Sequence, residues 1–168
     1  MKRLAVIAAS VALFGCPLAD AIAADQIARF EGGIGSQPFA SVNGAAAPNA
    51  VLGVNPGGRP WVIKRLFAEA RDDGRIRVDG RGLLLAGGDG IGTPGGQTVR
   101  ARLFCDGVEH NSDDQVALDE DGDFRIDSHL TPTPPSPCNR PVLLIVNVPP
   151  PQQPPGTPVW FAAGIPKR

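Results

Sequence analysis

The sequence has few of the local patterns that mark a catalytic centre. Its only two histidines, His110 and His129, do not have the spacing of a zinc-binding pair. It contains neither a Cys-x-x-Cys pair, which would suggest thiol redox chemistry, nor a Gly-x-Ser-x-Gly nucleophile elbow. Residues 110–113 (His-Asn-Ser-Asp) include the residue types of a catalytic triad, but a triad is assembled across space and not from chain neighbours. These absences favour a protein that is not an enzyme.

Long apolar runs, helix-favouring stretches and tyrosine are also missing. After residue 23 no stretch approaches the roughly 18 consecutive apolar residues that a transmembrane helix needs, so we expect no membrane span. The chain instead carries 21 glycines and 18 prolines in 168 residues. This composition is typical of a β-protein rich in loops.

Neither sign of charge is in large excess. Without residues 1–23 the chain carries 14 basic and 16 acidic residues, a net charge of −2. This balance gives no general attraction to nucleic acid, and we expect no nucleic-acid partner. Arg75, Arg77, Arg100 and Arg102 fall at alternating strand positions. We expect them to form either a modest basic patch or simply the polar face of a sheet.

The first 23 residues have the order of a secretory signal peptide. Lys2 and Arg3 precede an apolar run over residues 4–14, and residues 21–23 (Ala-Ile-Ala) supply a small-x-small cleavage pattern. We therefore expect export to the periplasm or the extracellular space, with cleavage after residue 23 or 24. As an alternative, the residues that end at Cys16 resemble a bacterial lipobox, which would anchor the protein to the membrane through a lipid on that cysteine.

Two cysteines, Cys105 and Cys138, remain behind the signal peptide. An even count in an exported chain predicts one disulfide bond between them. The bond would close a loop of 32 intervening residues and stabilise the fold by about 3–4 kcal/mol. The alternative is a pair of free thiols.

Hydrophobic alternation and turn residues predict antiparallel strands. Residues 61–71 and 75–79 flank an Asp-Gly turn and indicate a β-hairpin, and residues 116–118 and 123–127 flank a second Asp-Gly turn in the same way. The strand at 97–106 points Cys105 into the core. Further strands are predicted at residues 27–30, 39–42, 142–146 and 159–165, with a stiff proline-rich connector at 149–158.

Two of the predicted hairpin segments resemble each other. Residues 73–79 (DGRIRVD) and 121–127 (DGDFRID) share one pattern of turn, apolar and charged residues. The likeness indicates either a duplicated half-domain or two hairpins that obey the same turn and alternation rules. Gly80 and Gly82 follow the first copy and predict a β-bulge there.

We predict an all-β protein, specifically an antiparallel β-sandwich of about seven to nine strands with one disulfide. It is immunoglobulin-like in general architecture but not a clear member of that family, because its cysteines are closer together and the tyrosine of the tyrosine corner is missing. Residues 24–58, rich in glycine and alanine, are expected to hold one or two short strands. Residues 59–168 are expected to form the core, with 24–168 as one domain.

A glycine-rich stretch at residues 83–96 contains the spacing Gly-x-Gly-x-x-Gly. A dinucleotide site needs a helix after this spacing, whereas residues 97–106 indicate another strand, so we expect no nucleotide site. We interpret the stretch as a wide, flexible connection between two strands. Its tip, formed by Gly88, Asp89 and Gly90, is a candidate ligand-contacting loop.

An acidic stretch at residues 106–127 carries nine acidic residues and one arginine. Asp119, Asp121 and Asp123 alternate around Gly122, and oxygen ligands at this density can bind Ca²⁺. The EF-hand register fails, because alignment on Gly122 leaves both end positions of the loop without a carboxylate. A solvated turn is the other interpretation, and no cofactor beyond this calcium option is predicted.

The sequence therefore predicts an exported, non-catalytic binding or structural module with an extracellular or envelope partner. Two hypotheses that assign a different class of function stay open. One is a small secreted hydrolase that uses carboxylates of the acidic loops, and the other is a calcium-stabilised adhesion domain.

Overall fold

A computed structural model describes residues 24–149 and 157–167. The predicted signal peptide, Cys16 and most of the proline-rich connector lie outside the described residues. Those residues contain only strands, turns and irregular segments. The strands are β1 (Gln26–Gly35), β2 (Phe39–Val42), β3 (Ala45–Pro48), β4 (Trp61–Val62), β5 (Arg65–Arg71), β6 (Arg75–Arg81), β7 (Leu84–Leu85), β8 (Thr98–Cys105), β9 (Val108–Ser112), β10 (Val116–Ala117), β11 (Phe124–Thr131), β12 (Val142–Asn147) and β13 (Trp160–Pro166).

Eight of these strands form a closed antiparallel barrel, which corrects the prediction of a sandwich. The order around the barrel is β8-β12-β13-β1-β5-β6-β11-β9, and β9 pairs with β8 to complete the circle. The short strand β9 closes the sheet because it pairs with β11 at one end and with β8 along its length. The barrel includes β1 from the segment 24–58.

Alternation along the strands fills the barrel with apolar side chains. On β8, Val99, Ala101, Leu103 and Cys105 are all buried, which confirms the inward face predicted for this strand. An eight-stranded barrel is just wide enough for its interior to be filled by side chains. The barrel is therefore a packed core.

Strand β12 is buried on both of its faces. Leu143 and Ile145 point into the barrel, while Leu144 and Val146 belong to a separate apolar cluster. That outer cluster also contains Trp160, and residues 51–54 cover it. The outer cluster explains why β12 is a continuous apolar run in which polar residues do not alternate.

The predicted disulfide between Cys105 and Cys138 is present. It joins the end of β8 to the connector that follows β11, and both residues are buried. A disulfide of this kind is typical of an oxidising compartment. Within the ranges 24–149 and 157–167, no helix has the length and apolarity needed to cross a membrane.

One predicted hairpin is confirmed and the other is wrong. β5 and β6 pair across the turn at Asp73-Gly74 as expected. β10, however, pairs with β8 and not with β11, which instead pairs with β6 and β9. β10 lies beside β9 along the same edge of β8, so the turn at Asp121-Gly122 joins neighbouring segments without pairing them, and an alternation rule cannot identify the partner.

The two similar segments lie on adjacent strands. β6 and β11 pair so that Arg77 faces Asp127 and Asp79 faces Arg125, with Val78 opposite Ile126 at the centre. The shared pattern thus places opposite charges across from each other on the outer face in a reciprocal arrangement. Arg77 and Asp127 form an ion pair at 3.2 Å.

Candidate functional site

The four longest connections of the barrel start and end at one end of it, which we call the loop end. Because neighbouring strands are antiparallel, the connections that follow β1, β6, β9 and β12 leave the barrel on the same side. The opposite end has two tight turns, at residues 72–74 and 106–107, and the connector 132–141. Ligand-binding residues concentrate on loops held by a rigid scaffold, so the loop end is where a site is expected.

The loop end contains a cleft of about 370 Å³, which we call the aromatic cleft. Its residues come from the connections after β1, β6 and β12 and from the adjoining strand ends. The lining residues are Gly57, Gly58, Arg59, Trp61, Leu85, Gly95, Gln97, Asn147, Val159 and Phe161. A concave site with an apolar base and a few polar groups is the usual form of a small-molecule site.

The base of the aromatic cleft is a stacked pair of rings. The ring centroids of Trp61 and Phe161 are 4.1 Å apart, with 23° between the ring planes. Ser36 ties the two residues together, since its N–H donates to the carbonyl of Phe161 and its carbonyl accepts from the N–H of Trp61, each at 2.8 Å. Gly57 passes directly over the pair, where a Cβ would crowd both rings. The pair is therefore fixed by backbone contacts.

Each polar side chain of the cleft is oriented by a hydrogen bond to the protein. Nη1 of Arg59 donates to the carbonyl of Asp89. Nε2 of Gln97 donates to the carbonyl of Gly95 at 3.1 Å, and Oδ1 of Asn147 accepts from the N–H of Val159 at 2.8 Å. The remaining donors and acceptors of these three side chains are thus held in set directions.

The glycine-rich stretch forms a compact loop held by internal hydrogen bonds. The N–H of Leu85 donates to the carbonyl of Thr93, and Oγ1 of Thr93 donates to the carbonyl of Gly90 at 2.7 Å. The chain then enters strand β8 and no helix follows, as predicted from the sequence. Gly88, Asp89 and Gly90 contact the cleft indirectly, through the hydrogen bond from Arg59. Ligand contact at this tip stays a prediction.

Asp119, Asp121 and Asp123, the three aspartates considered as calcium ligands, face protein partners or solvent. Oδ1 of Asp119 accepts the N–H groups of Asp121 and Asp123, at 3.0 and 2.7 Å. The Asp123 carboxylate accepts from Arg81 at 2.8 Å and from the N–H of Gly82 at 2.9 Å. These bonds, the one from Arg81 first, hold the pKa of Asp123 below its ordinary value. No group of three metal-ligating side chains is found in the part of the chain that the structure describes.

The histidines and arginines noted in the sequence do not gather into a site. His110 is buried at the end opposite the loops, where its Nδ1 donates to the carbonyl of Pro132 at 2.7 Å. On β6, Arg75 and Arg77 bind acidic neighbours, and β11 and β9 separate them from Arg102 on β8. The four arginines at alternating positions are therefore not one basic patch.

A second cleft, of about 640 Å³, lies on the other side of the ribbon formed by β4 and β7. It is lined by Lys64, Arg65, Arg81, Gly82, Leu84, Asp121 and Asp123. Two carboxylates offset part of its positive charge, and the Arg81 guanidinium is bound to both Asp79 and Asp123. This second cleft lacks an aromatic base, so the aromatic cleft is the stronger candidate.

Sequence reasoning missed the residues of the aromatic cleft. They come from separate segments of the chain, and no local spacing connects Arg59, Gln97 and Asn147. The only sequence signal was the isolated Trp61 beside a glycine-rich segment. No family model, no curated protein and no solved structure matches the chain.

Proposed function

We propose that this chain is an exported, non-catalytic binding module that takes a small ligand in the aromatic cleft. The observation that carries the proposal is the convergence of three oriented polar side chains, Arg59, Gln97 and Asn147, around a fixed aromatic base. A rigid closed barrel below and long connections above are the arrangement in which loops commonly bind ligands.

The chemistry of the cleft favours binding over catalysis. Its described lining contains no carboxylate, histidine, thiol or hydroxyl side chain, and these are the usual nucleophiles and general bases. The carboxylates of the acidic loop, on which a hydrolase would depend, lie outside this cleft. Asp123 has a lowered pKa, which is the opposite of what a general acid requires.

Export is supported by the signal pattern in residues 1–23 and by the disulfide between Cys105 and Cys138. The intact mass of protein from its native host tests this part. A chain that begins at residue 24 or 25 supports release into the periplasm or medium, whereas a mass with an acylated Cys16 indicates membrane anchoring. A full-length chain with free thiols overturns the proposal of export.

The binding site is tested by blocking the cleft. A Cβ at Gly58 would meet no heavy atom within 4 Å, and the backbone there is not left-handed. Gly58→Trp should therefore fold and place an indole across the cleft, while Gly58→Ala is the matched control. A chemically diverse small-molecule library is screened by ligand-observed NMR against all three proteins.

The proposal expects compounds that bind the wild type and Gly58→Ala but not Gly58→Trp. Amide chemical shifts provide a second readout that does not depend on the variant. Bound compounds should shift the signals of Gln97 and Asn147. A screen without binders, or binders that shift only residues away from the cleft, overturns the proposed site.

A further inference from the structure

We propose that the ligand of the aromatic cleft is an acidic sugar, meaning a hydroxylated ring that carries one carboxylate. The inference rests on the proposed binding function and adds the chemical class of the ligand. It follows from which hydrogen-bonding groups the protein has already used and which it leaves for a ligand.

The single positive charge of the cleft favours a ligand that carries one negative group. Among the described residues Arg59 is the only charged one that lines the cleft, and it forms no ion pair with an acidic side chain of those residues. Because Nη1 is bound to the carbonyl of Asp89, the guanidinium keeps the edge formed by Nε and Nη2. Two parallel N–H donors on that edge match the two oxygens of a carboxylate.

The side-chain amides of Gln97 and Asn147 favour a ligand group that can both donate and accept hydrogen bonds. Gln97 uses Nε2 within the protein and keeps its Oε1 as an acceptor, whereas Asn147 uses Oδ1 and keeps its Nδ2 as a donor. The second N–H of Gln97 and the second lone pair of Asn147 Oδ1 are also unused, so each amide can both donate to and accept from a ligand. Hydroxyl groups do both, and a sugar ring presents several of them on neighbouring carbons.

The remaining surface of the cleft is a small apolar base flanked by glycine backbone, which suits one edge of a compact ring. Trp61, Phe161 and Leu85 are at most 5% exposed and offer a ligand only their edges, while Gly58 and Gly95 leave the backbone open to close approach. A highly charged ligand such as a sugar phosphate fits less well, because the one guanidinium would face a dianion. The cations Lys64 and Arg65 line the other cleft.

The test compares acidic and neutral sugars of the same ring. D-glucuronate and D-galacturonate are titrated into the mature protein by isothermal calorimetry or NMR, with D-glucose and D-galactose as the neutral partners. The variant Arg59→Gln removes the charge in the aromatic cleft. Arg65→Gln, which removes an exposed arginine from the other cleft, is the matched control.

We expect at least one uronate to bind about tenfold more tightly than its neutral partner. The difference should disappear in Arg59→Gln and remain in Arg65→Gln. Equal binding of acidic and neutral sugars, blocked by Gly58→Trp, would overturn the acidic class and leave the binding site intact. No binding of any of these sugars at millimolar concentration also overturns the inference, while the library screen decides separately on the proposed function.

Discussion

The ring of Phe124 on β11 lies directly over Gly80 on β6, so that a Cβ at Gly80 would overlap the ring. The two residues are register partners, and β6 continues past Gly80 to Arg81 without a break in its pairing. Glycine normally weakens a strand, but an aromatic ring from the neighbouring strand covers the missing side chain. The β-bulge predicted at Gly80 is therefore wrong, and the glycine is a site of close approach.

Substitution Gly80→Ala should destabilise the protein by about 1–3 kcal/mol, because the added methyl group must displace the Phe124 ring. The free energy of unfolding in urea measures the effect. The same substitution in a Phe124→Ala background should cost much less, since the obstructing ring is gone. Equal costs in both backgrounds would show that contact with the ring is not the reason for the glycine.

The disulfide gives a second prediction. Replacing Cys105 and Cys138 together by alanine should lower the free energy of unfolding by about 3–4 kcal/mol, because the unfolded chain regains the freedom of a long loop. For a domain of this size the melting temperature should fall by about 10 °C. Wild-type protein measured in reductant is the control and should behave as the double variant does. An unchanged melting temperature would contradict a stabilising role.

Local patterns in the sequence were sufficient to predict seven of the eight barrel strands, all but β9, and the disulfide. The inward face of β8, the hairpin of β5 and β6 and the apolar strand β12 were predicted because alternation and turn residues act over a few positions. The cysteine count predicted the bond between Cys105 and Cys138.

Closure of the barrel and the site could not be predicted in this way. Closure depends on β9 pairing with two partners, and no local pattern encodes which distant strand becomes a neighbour. β10 was assigned to the wrong partner for the same reason. The aromatic cleft needs three connections to converge at the loop end, and that convergence follows only from the closed topology.

The outer cluster on β12 leads to a third prediction. Leu144 packs outside the barrel and Leu143 inside it, and both are fully buried. Leu144→Ala should therefore cost about 2–5 kcal/mol, comparable with Leu143→Ala. Val108→Ala, at a valine that is 58% exposed, is the control and should change stability by less than about 0.5 kcal/mol. A small effect at Leu144 would mean that residues 51–54 do not pack on the barrel.

A low pH should weaken the ion pair between Asp123, in the acidic stretch 106–127, and Arg81 at the end of β6. The pKa of Asp123 is lowered because Arg81 and the N–H of Gly82 donate to its carboxylate. A lowered pKa in the folded state means that the stabilising contribution is complete above the ordinary carboxyl pKa of about 4. It is lost as the pH falls through the lower pKa of the folded protein, when the carboxylate becomes protonated.

We therefore expect Asp123→Asn to have a lower melting temperature than the wild type at pH 6, with the difference shrinking as the pH falls below about 4. Circular dichroism melts across this range measure it. Asp121→Asn is the matched control, because the Asp121 carboxylate accepts no hydrogen bond from any described residue, and its difference from the wild type should not follow the same course. A constant difference between wild type and Asp123→Asn at every pH would show that the ionised carboxylate does not stabilise the folded state, and that the variant acts through packing or backbone effects alone.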